Sequence, residues 1–84
     1  MDQNVAEAIY TQLANELLGL QVQRALMEVK IDDATVKTGN PGADEQLRTQ
    51  AQMAQNTIAM IDRQIEVRQA KVQELEAQLG KQKE

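Results

Sequence analysis

The sequence contains no cysteine, histidine, tryptophan, phenylalanine or serine, and its one aromatic residue is Tyr10. Without cysteine there is no disulfide, and without cysteine and histidine the ordinary zinc sites are excluded. The usual nucleophiles and general bases of enzymes are missing too, because serine, cysteine and histidine are all absent. We therefore predict no catalytic residue, no metal site and no cofactor, and we expect that the protein is not an enzyme.

Long apolar runs are also missing. The longest lies around residues 17–20, far below the roughly 18 residues that a membrane span requires, and residues 1–4 lack the basic and apolar regions of a secretion signal. The formal net charge is −4, with nine basic residues scattered among thirteen acidic ones. This scatter argues against a nucleic-acid interface. We expect no membrane span and no secretion signal, and a soluble protein located in the cytoplasm or within a macromolecular assembly.

What the sequence does contain is a pair of long apolar rows, each stepping alternately by four and three residues and each interrupted by one arginine. Such rows form the seams of coiled-coil helices. At 84 residues the chain buries little surface by itself, so association is the expected source of further burial. The first row is Ala6, Tyr10, Leu13, Leu17, Leu20, Arg24, Met27, Ile31 and Ala34; the second is Leu47, Ala51, Ala54, Ile58, Ile61, Ile65, Arg68, Val72, Leu75 and Leu79.

The segment between the two rows predicts a tight turn. Gly39 can adopt the left-handed conformation that closes a helix, while Asn40 followed by Pro41 is typical of an N-cap and a first helical residue. At the other ends, Asn4 is the expected N-cap of the first helix and Gly80 the expected stop of the second. The prediction is an all-α, single-domain antiparallel hairpin that self-associates into a helical bundle, with helix 1 over about 4–37, a turn over 38–40, helix 2 over about 41–79 and a frayed tail over 80–84.

Two registers can pair the seams. We prefer the one in which a turn centred on Gly39 places Arg24 opposite the small Ala54, leaving room for the arginine stem to reach solvent. The same register places Arg68 opposite Tyr10, where a cation–π contact is possible.

The alternative register is shifted by one heptad, and it sets Arg24 against Ile61 and Arg68 against Leu17. Isolated polar residues in a coiled-coil seam can specify register and oligomeric state. We therefore treat Arg24, Arg68 and Tyr10 as candidate register-setting residues. A second interpretation is that both arginines reach solvent at loosely packed places and specify little.

Helix 1 carries a second apolar row almost opposite its seam, which we call the back row. One partner helix cannot cover both faces, so this helix is predicted to lie between helix 2 and another chain. A homo-oligomeric core is the first interpretation, and a groove for another protein's amphipathic helix is the second. The back row is Leu18, Val22, Ala25, Val29 and Val36.

Helix 2 carries Met53, Met60 and Val67 at seven-residue spacing beside its seam, a set we call the methionine strip. Because methionine adapts to irregular partners, the strip is a candidate binding surface for one client protein. The competing interpretation is that these residues widen the core of a bundle.

A parallel dimer of helix 2 is a competing architecture, since Lys71 and Glu76 could pair between its copies. The turn and the matching seams favour the hairpin over it. Four acids near the turn, Asp32-Asp33 and Asp44-Glu45, could also hold a Ca²⁺ or Mg²⁺ ion. The ligand spacing of an EF-hand is absent, so we interpret them as solvated helix-end charges.

Two functional hypotheses follow, both of protein binding without chemistry. In the first, the chain is a small self-associating structural or assembly component; in the second, it is a dedicated chaperone or inhibitor that covers a client's amphipathic helix. In size, acidity and hairpin shape it resembles small secretion chaperones and phage-encoded accessory proteins, although no motif assigns it to either family. An RNA-binding hairpin dimer of the plasmid copy-control kind shares the architecture, but the basic stripe is missing.

Overall fold

The computed structural model describes residues 2–83, with side chains placed as far as residue 80. Helix α1 spans Gln3–Asp33 and helix α2 spans Pro41–Lys83, and the two pack side by side along a rod 64 Å long. The chain is therefore an antiparallel all-α hairpin, which confirms the predicted fold class.

Helix α1 begins at an aspartate cap. The Asp2 carboxylate accepts a hydrogen bond from the backbone N–H of Asn4 at 3.2 Å, and the Asp2 carbonyl accepts one from Ala6 at 2.9 Å. The predicted cap at Asn4 is therefore wrong. Aspartate caps a helix as well as asparagine does, and capping two residues earlier allows further intrahelical hydrogen bonds.

Helix α1 ends at Asp33, before the predicted end at Lys37. Over residues 34–36 each backbone N–H bonds to the carbonyl three residues earlier, at 3.0–3.1 Å, so the helix tightens and stops. The Thr35 hydroxyl also donates to the Asp32 carbonyl at 2.7 Å. This local bond competes with helix continuation, and adjacent acids at a helix C-terminus are unfavourable as well.

The connection to α2 is longer than predicted and held by side chains. Gly39 has φ +83°, and the Asn40 Oδ1 accepts from the N–H groups of Gly42 and Ala43 at 3.0 and 3.4 Å, as expected of an N-cap before Pro41. The Asp44 carboxylate accepts from both the backbone N–H and the hydroxyl of Thr38, at 3.0 and 2.9 Å. These bonds lower the pKa of Asp44.

Helix α2 does not stop at Gly80, as the sequence had predicted, but continues through Lys83. A single glycine costs a helix about 1 kcal/mol, which is too little to end a helix that is already long and packed. Residues 81–83 of the expected frayed tail are helical, and Glu84 lies outside the described residues.

Both predicted seams face the interior of the hairpin. Every residue of the two rows is buried or half-buried, and the most buried side chain is Leu75 at 0% exposure. The core is built from small and aliphatic side chains, as expected for a chain without phenylalanine or tryptophan. Its buried members are Ala6, Leu20, Ala51, Ala54, Ile61 and Leu75.

The preferred register is wrong, and the alternative shifted by one heptad is the one adopted. Arg24 bonds across the seam to Asp62, the neighbour of Ile61, and Arg68 bonds to Glu16, the neighbour of Leu17. The early end of α1 and the longer connection allow this shift. It also gives each arginine a carboxylate partner on the opposite helix, beside the seam.

Candidate functional site

The two seam arginines are tied to the opposite helix by ion pairs. Arg24 Nε lies 2.8 Å from Asp62 Oδ1, and Arg24 also pairs with Glu28 on its own helix. The hydrogen bond and the charge of Asp62 raise the pKa of Arg24. Arg68 Nε lies 3.2 Å from Glu16 Oε1. These contacts link α1 to α2 near the middle of the rod.

Tyr10, the third candidate for setting the register, contacts neither arginine. Its hydroxyl donates to Glu76 Oε1 at 3.2 Å, and this bond, reinforced by the negative charge of Glu76, raises the pKa of Tyr10. The cation–π contact predicted between Tyr10 and Arg68 is therefore wrong. Glu76, considered as a partner for Lys71 between chains, is engaged by Tyr10, and Lys71 pairs with Glu74 at 3.4 Å.

The back row lies uncovered on α1. Val36, predicted as the last member of the row, is 60% exposed but lies in the connection, because α1 ends at Asp33. On α1 itself, Leu18, Val22 and Val29 are 62%, 52% and 53% exposed, and Ala25 is exposed as well. Their exposure follows from the seam, because a row opposite the helix–helix contact is out of reach of α2.

The methionine strip is uncovered too, with Met53, Met60 and Val67 at 64%, 63% and 68% exposure. Beside it, a shallow cavity of about 250 Å³ opens between the helices. The cavity is lined by Met27, Lys30, Gln50, Met53, Ala54 and Thr57. The strip therefore borders an indentation rather than a flat surface.

Two large exposed apolar residues were not identified from the sequence: Val5, which is 47% exposed near the start of α1, and Leu26. Leu26 is 56% exposed and lies four residues after Val22 and three before Val29. That spacing was a usable signal, but Leu26 falls beside a row drawn through Ala25. By helical periodicity Leu26 lies on the same side of α1 as Gly19 and Lys30, the side on which Lys30 lines the cavity with Met53.

Gly19 leaves a gap in the same surface. A Cβ placed on Gly19 would meet nothing within 4 Å, and the backbone φ there is in the ordinary helical range. Gly19 thus leaves open space on a side of α1 from which Leu26 protrudes.

Among residues 2–83, no group of three or more acidic side chains is arranged to hold an ion. Asp44, one of the four acids considered as ligands, accepts hydrogen bonds from Thr38 instead. No helix in the described part of the chain has a stretch both long and apolar enough to cross a membrane.

The fold and the site thus define a helical hairpin with exposed apolar faces on both helices. In comparisons with known proteins, no family model, no curated protein and no solved structure matches the chain.

Proposed function

We propose that this chain is a non-enzymatic protein–protein interaction module that self-associates as a small structural or assembly component. The observation that carries the proposal is the back row, whose three large side chains on α1, Leu18, Val22 and Val29, are each more than half exposed on a single hairpin. Its place of action, in the cytoplasm or within a macromolecular assembly, is part of the same proposal.

The energy available from this surface is on the scale that association needs. Full burial of a valine or leucine contributes about 1.5–3 kcal/mol, so covering these three half-exposed side chains contributes roughly 2.5–5 kcal/mol per copy. Two copies together supply about twice that amount, compared with an association cost of roughly 4–15 kcal/mol. The back row can therefore sustain a self-association that further contacts strengthen.

A double substitution in the back row tests the proposal. Val22→Glu with Val29→Glu would place two carboxylates per copy in an apolar interface, where burial without a partner is costly. We expect sedimentation over a concentration range to show an oligomer for the parent and a 9.4 kDa monomer for the variant.

The matched control places the same charges elsewhere. Gln52→Glu with Gln73→Glu alters two exposed residues on the outer side of α2, and it should leave the oligomer mass unchanged. If the Val22/Val29 variant keeps the parent mass, the back row is not the interface and the proposal fails.

A second candidate function, binding of a client's amphipathic helix, is favoured by the methionine strip. The strip is as exposed as the back row, and the cavity beside Met53 offers a recess for a partner's side chain. Flexible methionines suit the irregular surface of such a partner.

A further inference from the structure

We propose that the surface covering α1 is the α1 of a second copy, running antiparallel about a two-fold axis near Gln23, with Leu26 of each copy seated over Gly19 of the other. This inference rests on the proposed self-association and adds its geometry. Three features of α1 each place the axis within half a residue of Gln23.

The first feature is the match between Gly19 and Leu26. They lie one heptad apart on one side of α1, which is two turns and about 10.5 Å along the axis. Gly19 leaves open space where a Cβ would be, while Leu26 is 56% exposed. In an antiparallel pair each Leu26 meets the Gly19 of the other copy, so each protruding side chain lies over a glycine.

The second feature is the pairing within the back row. With the axis near Gln23, Leu18 lies level with Val29 of the second copy, and Val22 lies level with its Ala25. The large Val22 thus meets a small residue, and a closed two-fold interface uses the same patch on both copies. Two valines in contact at this central layer would leave the helices farther apart.

The third feature is charge. Glu16, Gln23 and Lys30 follow one another at heptad spacing on the side of α1 that carries Gly19. An antiparallel pair brings Glu16 of each copy to Lys30 of the other, whereas in a parallel pair Glu16 would face the opposite flank of its partner and would not meet Lys30. Glu16 already accepts a hydrogen bond from Arg68, so Lys30 of the second copy would complete a three-residue network. Exposed pairs of this kind set orientation more than affinity.

A residue swap tests the steric match. Gly19→Leu fills this space and should weaken the dimer by about tenfold or more, because a side chain inserted into a close helix–helix contact forces the helices apart. The double variant Gly19→Leu with Leu26→Gly keeps the amino-acid composition and restores one leucine opposite each glycine. We expect its dissociation constant to return to within about threefold of the parent, with unchanged helicity by circular dichroism.

Cysteine cross-linking tests the orientation separately, which the chain permits because it has no cysteine of its own. Leu18→Cys and Val29→Cys are made as single variants and oxidised alone and as a mixture. In the antiparallel arrangement only the mixture forms a cross-linked dimer, and mass spectrometry shows one copy of each variant in it.

The outcomes separate the two proposals. Cross-linking of each single variant with itself, in a parent that is dimeric, would overturn the antiparallel geometry and leave self-association standing. A swap variant as weak as Gly19→Leu alone would overturn the seating of Leu26. A parent that stays monomeric at all concentrations would overturn the proposed function and this inference with it.

Discussion

Truncation of Leu75 to alanine should be among the most damaging single changes in the seam. Leu75 is 0% exposed, so the substitution removes a side chain that has lost all contact with water. Leucine-to-alanine changes at such sites cost about 2–5 kcal/mol, since the lost transfer energy adds to that of the cavity left behind. We expect a loss of about 3 kcal/mol.

That loss is large compared with the unfolding free energy of the whole domain. A domain of this length has an unfolding free energy of roughly 4–12 kcal/mol. For domains of 60–100 residues each kcal/mol shifts the melting temperature by about 4–8 °C, so Leu75→Ala should lower it by roughly 12–24 °C.

The assay is thermal unfolding followed by circular dichroism, with Met60→Ala as the matched control. Met60 has a side chain of similar size but is 63% exposed, so its truncation should change stability by about 0.5 kcal/mol or less. If the two variants melted at the same temperature, the packing of Leu75 against α1 would not contribute as we argue, and the hairpin seam would have to be reconsidered.

Two further predictions concern the connection and the methionine strip. Because hydrogen bonds from Thr38 lower the pKa of Asp44, the ionised carboxylate stabilises the fold above its unfolded-state pKa, near pH 4, and this contribution is lost as pH falls through the lower folded value. Asp44→Asn should therefore have a lower melting temperature than the parent at pH 7, and this difference should shrink in acid. A difference in melting temperature that grows in acid would contradict the assignment. Met53→Gln with Met60→Gln should leave helicity and oligomer mass unchanged while abolishing capture of a client from the native source. A smaller oligomer mass or a loss of helicity would place the two methionines in the core.

The apolar pattern was sufficient to predict the hairpin and both seams. Rows at steps of four and three are a direct consequence of helical geometry, so residues such as Leu20 and Ile61 could be assigned to the interior without coordinates. The same holds for Asn40 and Pro41, whose cap depends only on neighbouring backbone groups.

The register could not be obtained in this way, because a heptad shift leaves an apolar row facing an apolar row. What separates the two registers is a few contacts beside the seam, such as Arg24 with Asp62 and Arg68 with Glu16. The end of α1 depends on the hydroxyl of Thr35, a local bond that competes with a well-patterned helix. Leu26 was missed because one straight row was drawn through a face that is wider than one row.

The hydrogen bond between Tyr10 and Glu76 allows one part of the hairpin to be followed through the spectroscopic signal of Tyr10. The ring of Tyr10 is the sole aromatic chromophore of the chain, and its hydroxyl joins the first turns of α1 to a residue 66 positions later, at the open end of the rod. Near-ultraviolet absorption and fluorescence therefore originate from one place, about two turns inside the first residue of α1 and the last residue of α2. Fraying of these ends is thus distinguishable, in the intact molecule, from melting of the middle.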